Sequence, residues 1–235
     1  MNEVEWCFSD NARALVEHLR NHNAAPRRNP PSDIEARWLV RERKWRLIGT
    51  ACCARLRHLL PQAALELLEA SWAYADGALD TVTFAMRWNL TSALLPGLLR
   101  RQFQSRCTDW AIQAVIHLGP ECDVRALLED AHRALVAETS ESGAAEELAI
   151  QSQIVRCAIG NPFVPVRFDP AWATDTATTL ARQMYDSREF SAMPILADAL
   201  QDAGCENAEL LNHCRDPHAT HVRGCWVCDL VLAKV

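Results

Sequence analysis

The chain has 235 residues, 49% of them hydrophobic and 23% charged, with a formal net charge of −6. This is an ordinary balance for a soluble globular protein long enough to bury a sizeable core, and eight Gly among many Ala and Leu argue against a turn-rich β-sandwich. No stretch nears the roughly 18 uninterrupted apolar residues of a membrane span, and the opening MNEVEWCFSDNARALVEHLR lacks the basic and apolar regions of a signal peptide, so a cytoplasmic protein with no membrane partner is expected.

The pattern predicts helix after helix. The first spans about 9–22 and ends in Asn21-His22-Asn23, followed by AAPRRNPP (24–31) as a Pro-containing linker. Ser32 and Glu35 have capping-box spacing for the next helix. Between Glu35 and Leu60, Trp38, Trp45, Ile48, Cys52, Leu56 and Leu59 recur at three- and four-residue steps, which makes an amphipathic helix with arginines on its other faces. Pro61 suits the first turn of a helix over 62–76 that turns Leu65, Leu68, Trp72 and Ala75 inward and stops near Gly77.

Helices are then expected over about 80–94, 98–117, 121–137 and 144–158, the last ending at Gly160. Three prolines hold NPFVPVRFDP (161–170) extended, and Trp172 pins this link to the body. Further helices follow at about 174–187, 190–203, 206–214 and 224–233. No repeat of solenoid length recurs.

Charge is uneven. From Arg20 to His58, ten Arg or Lys stand against three acids. Arg37, Arg41, Lys44 and Arg43, Arg46 form rows that could track phosphates, with Trp38 and Trp45 between them. No nucleic-acid module declares itself, however, and at helical spacing the tryptophans read as core anchors. A helix face pairing with acidic helices of the same chain is the preferred reading, and nucleic acid is disfavoured as a partner.

Several runs resemble a known group. RKWRLIGTACCARLRHLL (43–60), GNPFVPVRFDPAW (160–172), MPILADALQDAGC (193–205) and HVRGCWVCDLVL (221–232) are similar to an uncharacterised bacterial family of small helical proteins. Its members share an RKLRLFACACCRRIWHLL-like helix, a GNPFRPV…DPAW link and an ILADALQDAGC…HCR…HVRGCWVVDL-like end. The resemblance covers most of 43–235 and is most specific in the last two runs. It implies a helical fold and carries no assigned activity. The chain departs from the pattern at Gly49 and Thr50, where Ala-Cys-like residues are expected, and at Cys228, where Val is expected.

The candidate site lies at the carboxyl end. Ten cysteines in a reducing cytosol are expected to be free, metal-bound or reactive rather than paired. Cys7, Cys107, Cys122 and Cys157, scattered among apolar neighbours, read as buried core residues. The last 31 residues hold Cys205, His213, Cys214, His218, His221, Cys225 and Cys228. From Cys214 onward the spacing is C-x3-H-x2-H-x3-C-x2-C, from which four ligands of a tetrahedral zinc can be drawn. His213, Cys214, His221 and Cys225 match the family-like end best, with Cys228 as a possible addition; zinc is the metal such donors suit, iron the second choice.

Packing competes with that reading. Adjacent His213 and Cys214 point about 100° apart on a helix, so one of them faces any single ion. CWVCDLVL is apolar nearly all round, which makes Cys225 and Cys228 natural core residues. Cys52-Cys53 with His58 could complete the site from a facing helix. A thiol enzyme would need Cys214 or Cys225 activated by His213 or His221, yet no GxSxG, HExxH, phosphate-binding Gly loop or cysteine-hydrolase signature is present. Asp198 and Asp202 read as polar-face residues. Single histidines at 18, 22, 117 and 132 carry no functional reading.

The expectation is therefore an all-α protein with a single compact multi-helix domain of about nine to eleven helices, not a regular solenoid. Residues 1–33 form an amino-terminal helix and linker, weakly attached, and 34–235 the helical domain. The leading function is a non-catalytic binding or interaction protein with a protein partner. The alternatives are a metal-binding protein with a Cys/His zinc-type site near the carboxyl terminus and a Cys-His enzyme, the latter disfavoured.

Overall fold

The computed structural model describes residues 1–24, 42–102, 105–137, 141–164 and 166–234. Among these residues there are twelve α-helices and no strand. Ten helices are of eight residues or more, and the first and last have six. The expected all-α architecture in one compact arrangement is what the chain adopts, and the helices do not stack as a solenoid.

The amino end differs from expectation. Two helices, α1 (Glu3–Phe8) and α2 (Ala12–Ala24), stand where one was expected. Asn2 accepts from the Glu5 amide while the Glu5 carboxylate accepts from the Asn2 amide, a capping box that starts α1 before the expected onset. Trp6, Ala12, Leu15, Val16 and Leu19 are all buried in the main core. Arg156 donates to the Trp6 and Ser9 carbonyls, tying α1 to the body. Residues 1–24 are thus core elements rather than the weakly attached arm expected of 1–33. The expected linker and the Ser32–Glu35 capping box lie outside the described residues.

α3 (Glu42–Ala54) is the spine. Arg46 to Cys53 are eight consecutive buried residues, the mark of a helix covered on every side. Arg46 is 1% exposed and sits 4.8 Å from both the Tyr74 and Phe84 rings. Its guanidinium donates to the carbonyls of Leu118, Gly119 and Pro120, so the charge is buried but fully employed. A short 3-10 turn (Arg57–Leu59) leads to α4 (Gln62–Ala75), which stops just before Gly77 as its sequence suggests.

α5 (Thr81–Gln102) runs through Pro96, where a break was expected; the proline removes one main-chain hydrogen bond without ending the helix. α6 (Arg106–Ile116) and α7 (Val124–Val136, capped by Asp123) pack as a hairpin against α3, and α8 (Glu141–Ile159) closes the first core.

A second core follows the proline-containing link, which opens with a turn closed by the Val164 amide on the Asn161 carbonyl rather than in the extended form expected. Its short turn (Pro170–Trp172) is capped by Asp169, and Trp172 packs edge-on against Phe168 at 5.5 Å. α9 (Asp175–Ser187) begins at the Thr174 cap, α10 (Met193–Asp202) precedes α11 (Ala208–Arg215) capped by Asn207, and α12 (Trp226–Val231) ends the fold. Met184, Tyr185, Leu196, Leu200, Leu210, Val227 and Val231 fill this core, and Cys157 at the end of α8 belongs to it.

Where it is described, the basic segment pairs within the chain, as the charge pattern suggested; Arg37, Trp38 and Arg41 lie outside the described residues. Arg43 and Lys44 meet Asp229, Arg55 meets Glu147, and Arg57 meets Glu69. Among the described residues no helix is long and apolar enough to cross a membrane.

Candidate metal centre

Four side chains from four parts of the chain converge where the two cores meet. Cys157 comes from the last turn of α8 and His213 from the last turn of α11. His221 comes from the loop 216–224, and Cys225 stands at the cap position that opens α12. One ligand atom from each lies within 4.8 Å of the other three. His213 Nε2 is 3.3 Å from Cys225 Sγ, and Cys157 Sγ is 4.0 Å from His221 Nδ1. The two imidazoles stand perpendicular with centroids 4.9 Å apart.

Local structure explains each placement. Gly160 (φ +78) ends α8 in the left-handed region, three residues after Cys157. Asn207 accepts from the Leu210 amide and starts α11 so that its last turn carries His213. The loop is braced by Asp216, which accepts from the His218 amide, and by a hydrogen bond between Thr220 and Gln153 of α8. The Cys225 amide closes a turn onto the Val222 carbonyl at 2.8 Å. Lys44 of α3 then holds the Gly224 carbonyl at 2.8 Å, fixing the approach to Cys225 from the first core.

Both cysteines are buried and both histidines half-buried. Burial alone would raise the Cys225 thiol. Hydrogen bonds from Cys157 and Cys228, together with adjacent His213, instead hold it well below the usual thiol range. Burial and the bond it makes to Cys225 push Cys157 up. Cys228 is pushed up first by its bond to Cys225 and then by burial. The four side chains together form a soft nitrogen–sulfur set of the kind transition metals take up.

The structure brings together His213, His221 and Cys225 of the residues singled out in sequence, and it adds Cys157. Cys214 lies outside this group of four; it is fully buried in the second core, and burial pushes its thiol up. The adjacency of His213 and Cys214 thus resolves with the histidine turned to the cluster. Cys228 is beside Cys225 but is also outside the four, with its sulfur 3.8 Å from Met193 Sδ. Cys205 is buried in the second core, and His218 is exposed. Cys52 and Cys53 are buried in the first core, and neither they nor His58 belong to the four-residue group. All ten cysteines are unpaired.

Sequence reasoning passed over Cys157 because it stands 64 residues before His221, alone among apolar neighbours. Its only local signal is its place one turn before a helix-ending glycine and the proline-rich link. In comparisons with models of known families, with curated proteins and with solved structures, the chain matches none.

Proposed function

We propose that this is a metal-binding protein with one zinc-type centre, whose ligands are Cys157, His213, His221 and Cys225. The observation that carries the reading is the convergence of two sulfurs and two imidazole nitrogens within 4.8 Å. Zinc bonds of about 2.3 Å to sulfur and 2.0–2.1 Å to nitrogen put tetrahedral neighbours about 3.3–3.8 Å apart. A contraction of about 1 Å therefore completes the shell, within reach of side-chain rotation.

Charge supports the same ion. Two thiolates and two neutral imidazoles offset a dication in a half-buried site, and mixed N/S donors suit zinc over the hard cations Ca²⁺ and Mg²⁺. Four protein donors fill the coordination shell and leave no position for a substrate, so the role is structural. The ion joins the end of α8 to α11, the loop and α12. In this reading it fixes the surface through which a non-catalytic binding protein would present its carboxyl-terminal helices.

Metal analysis of protein purified without a histidine tag tests the proposal. About one zinc per chain is expected, with near-complete loss in Cys157→Ser and Cys225→Ser and full retention in Cys214→Ser. Cobalt substitution should give tetrahedral visible bands and a thiolate charge-transfer band that disappears in Cys157→Ser. A metal-free native protein, or zinc retained by Cys225→Ser, would rule the centre out.

A further inference from the structure

Where α3 meets α12, four cationic side chains gather around two carboxylates. Arg43 and Lys44 come from α3, Arg223 from the loop 216–224 and Lys234 from beyond α12; the acids are Asp76, at the end of α4, and Asp229. Among the described residues no third acid pairs with any of the four. Both carboxylates are almost wholly buried, while the cations keep from 17% to 35% exposure. Positive charge is therefore what the cluster presents to solvent. Four like charges held together against two acids repel one another in a half-buried place, and an anion from solution offsets that repulsion.

The four are not equally committed. Arg43 spends both terminal nitrogens on Asp229, Asp76 and the Tyr185 hydroxyl, and Lys44 donates to Asp229 and the Gly224 carbonyl. Arg223 has donors to spare. Its Nη2 comes within 2.7 Å of Asp76 Oδ2, yet the pair is not aligned as a hydrogen bond, and its Nε donates to none of the described residues. Lys234 Nζ stands 3.7 Å from Asp76 Oδ1, too far for a hydrogen bond. Both side chains rest on the Tyr185 ring, 4.9 Å and 4.6 Å from its centroid. One acid and one ring thus hold two underused cations.

We propose that Arg223 and Lys234, backed by Arg43 and Lys44, form a binding site for a phosphate dianion, free or as the end group of a small phosphomonoester. Two surplus positive charges match the charge of about −1.5 to −2 that a phosphomonoester carries at neutral pH. The Arg223 guanidinium offers forked donors suited to phosphate oxygens, and Lys234 adds a mobile point charge. The cations converge on one place rather than running in a row, and the chain as a whole is acidic, so a single phosphate fits where a polyanion does not. The site uses none of the four metal ligands and does not rest on the zinc-type reading.

Titration calorimetry on the full chain tests the site, with inorganic phosphate and phenyl phosphate as separate probes near neutral pH and at constant ionic strength. One saturable equivalent is expected from at least one of them, and the probe that binds identifies free ion or ester as the source. Arg223→Met should weaken binding at least about tenfold, and Arg223→Lys, which keeps the charge but not the fork, by less. Lys234→Met, at the most exposed of the four cations, should weaken it severalfold and keeps the test open if Arg223→Met fails to fold. Arg215→Met, at an arginine that pairs with Asp198 on the surface, should bind like the native protein. Cys157→Ser should do the same. No saturable binding of either probe, or an affinity unchanged in both Arg223→Met and Lys234→Met, would overturn the site. Binding lost in Cys157→Ser but kept in Arg223→Met would place the anion on a metal and overturn it equally.

Discussion

Gly224 governs where Cys225 points. Its φ of +95 lies in the left-handed region, and an added Cβ would meet Leu47 Cδ1 at 2.7 Å, in the middle of α3. Alanine there must either move Leu47 or shift the turn, and the turn carries both the Lys44 hydrogen bond and the Cys225 cap. Gly224→Ala should therefore cost about 1–3 kcal/mol in urea denaturation. Because it misplaces a ligand without removing one, it should also weaken zinc binding about 10–100-fold in competition with a chromogenic chelator. Unchanged affinity and midpoint would show that the turn has slack. The glycines at 160 and 224 are visible in sequence as punctuation, but the close approach of Leu47 is not. Nothing within five residues of Gly224 announces that α3 passes there.

At the scale of elements, a polar seam between α3 and α12 holds the second core against the first. Asp229 is 4% exposed and receives both Arg43 and Lys44. Arg43 also donates to Tyr185 of α9, and Tyr185 donates to Asp76 at 2.9 Å. Removing the carboxylate leaves two largely buried cations facing each other with less compensation. Asp229→Ala should lower stability by about 3–5 kcal/mol, while Asp198→Ala, whose carboxylate is largely exposed and pairs with Arg215, should cost under about 1 kcal/mol. Equal effects in chemical denaturation would mean the seam contributes no more than a surface pair. Helix ends set by local chemistry were legible: Gly77 after α4 and the start of α9 at Thr174 follow from caps and spacing. The seam was legible only as charge imbalance. Which acid meets which base depends on long-range packing that periodicity does not encode, and the same holds for Cys157, which joins a cluster whose other members lie more than fifty residues away.

For the whole molecule, two apolar cores meet at α8, Val222 and the seam, and the proposed ion sits at that junction. The first core is built around a helix buried on all sides and has its own buried arginine network, so it does not depend on the metal. The second is smaller, and its last elements, α11, the loop and the six-residue α12, are short. Helices of that length hold their shape through tertiary contacts rather than intrinsic propensity. Metal binding to the folded state alone adds its free energy to whatever unit the ligands join. Removing zinc with a chelator should therefore act locally. In hydrogen exchange, amides of 208–231 should lose about 10–100-fold of their protection, while α3, α6 and α7 keep theirs. Acidification should reproduce the same pattern, because protons compete with the metal for the two thiolates and two imidazoles: affinity falls as pH falls, and the carboxyl-terminal elements loosen first. If protection fell evenly through both cores, the ion would be supporting the entire fold and the junction would not be a boundary. If protection did not change anywhere, the four ligands would be packing residues that happen to face one another.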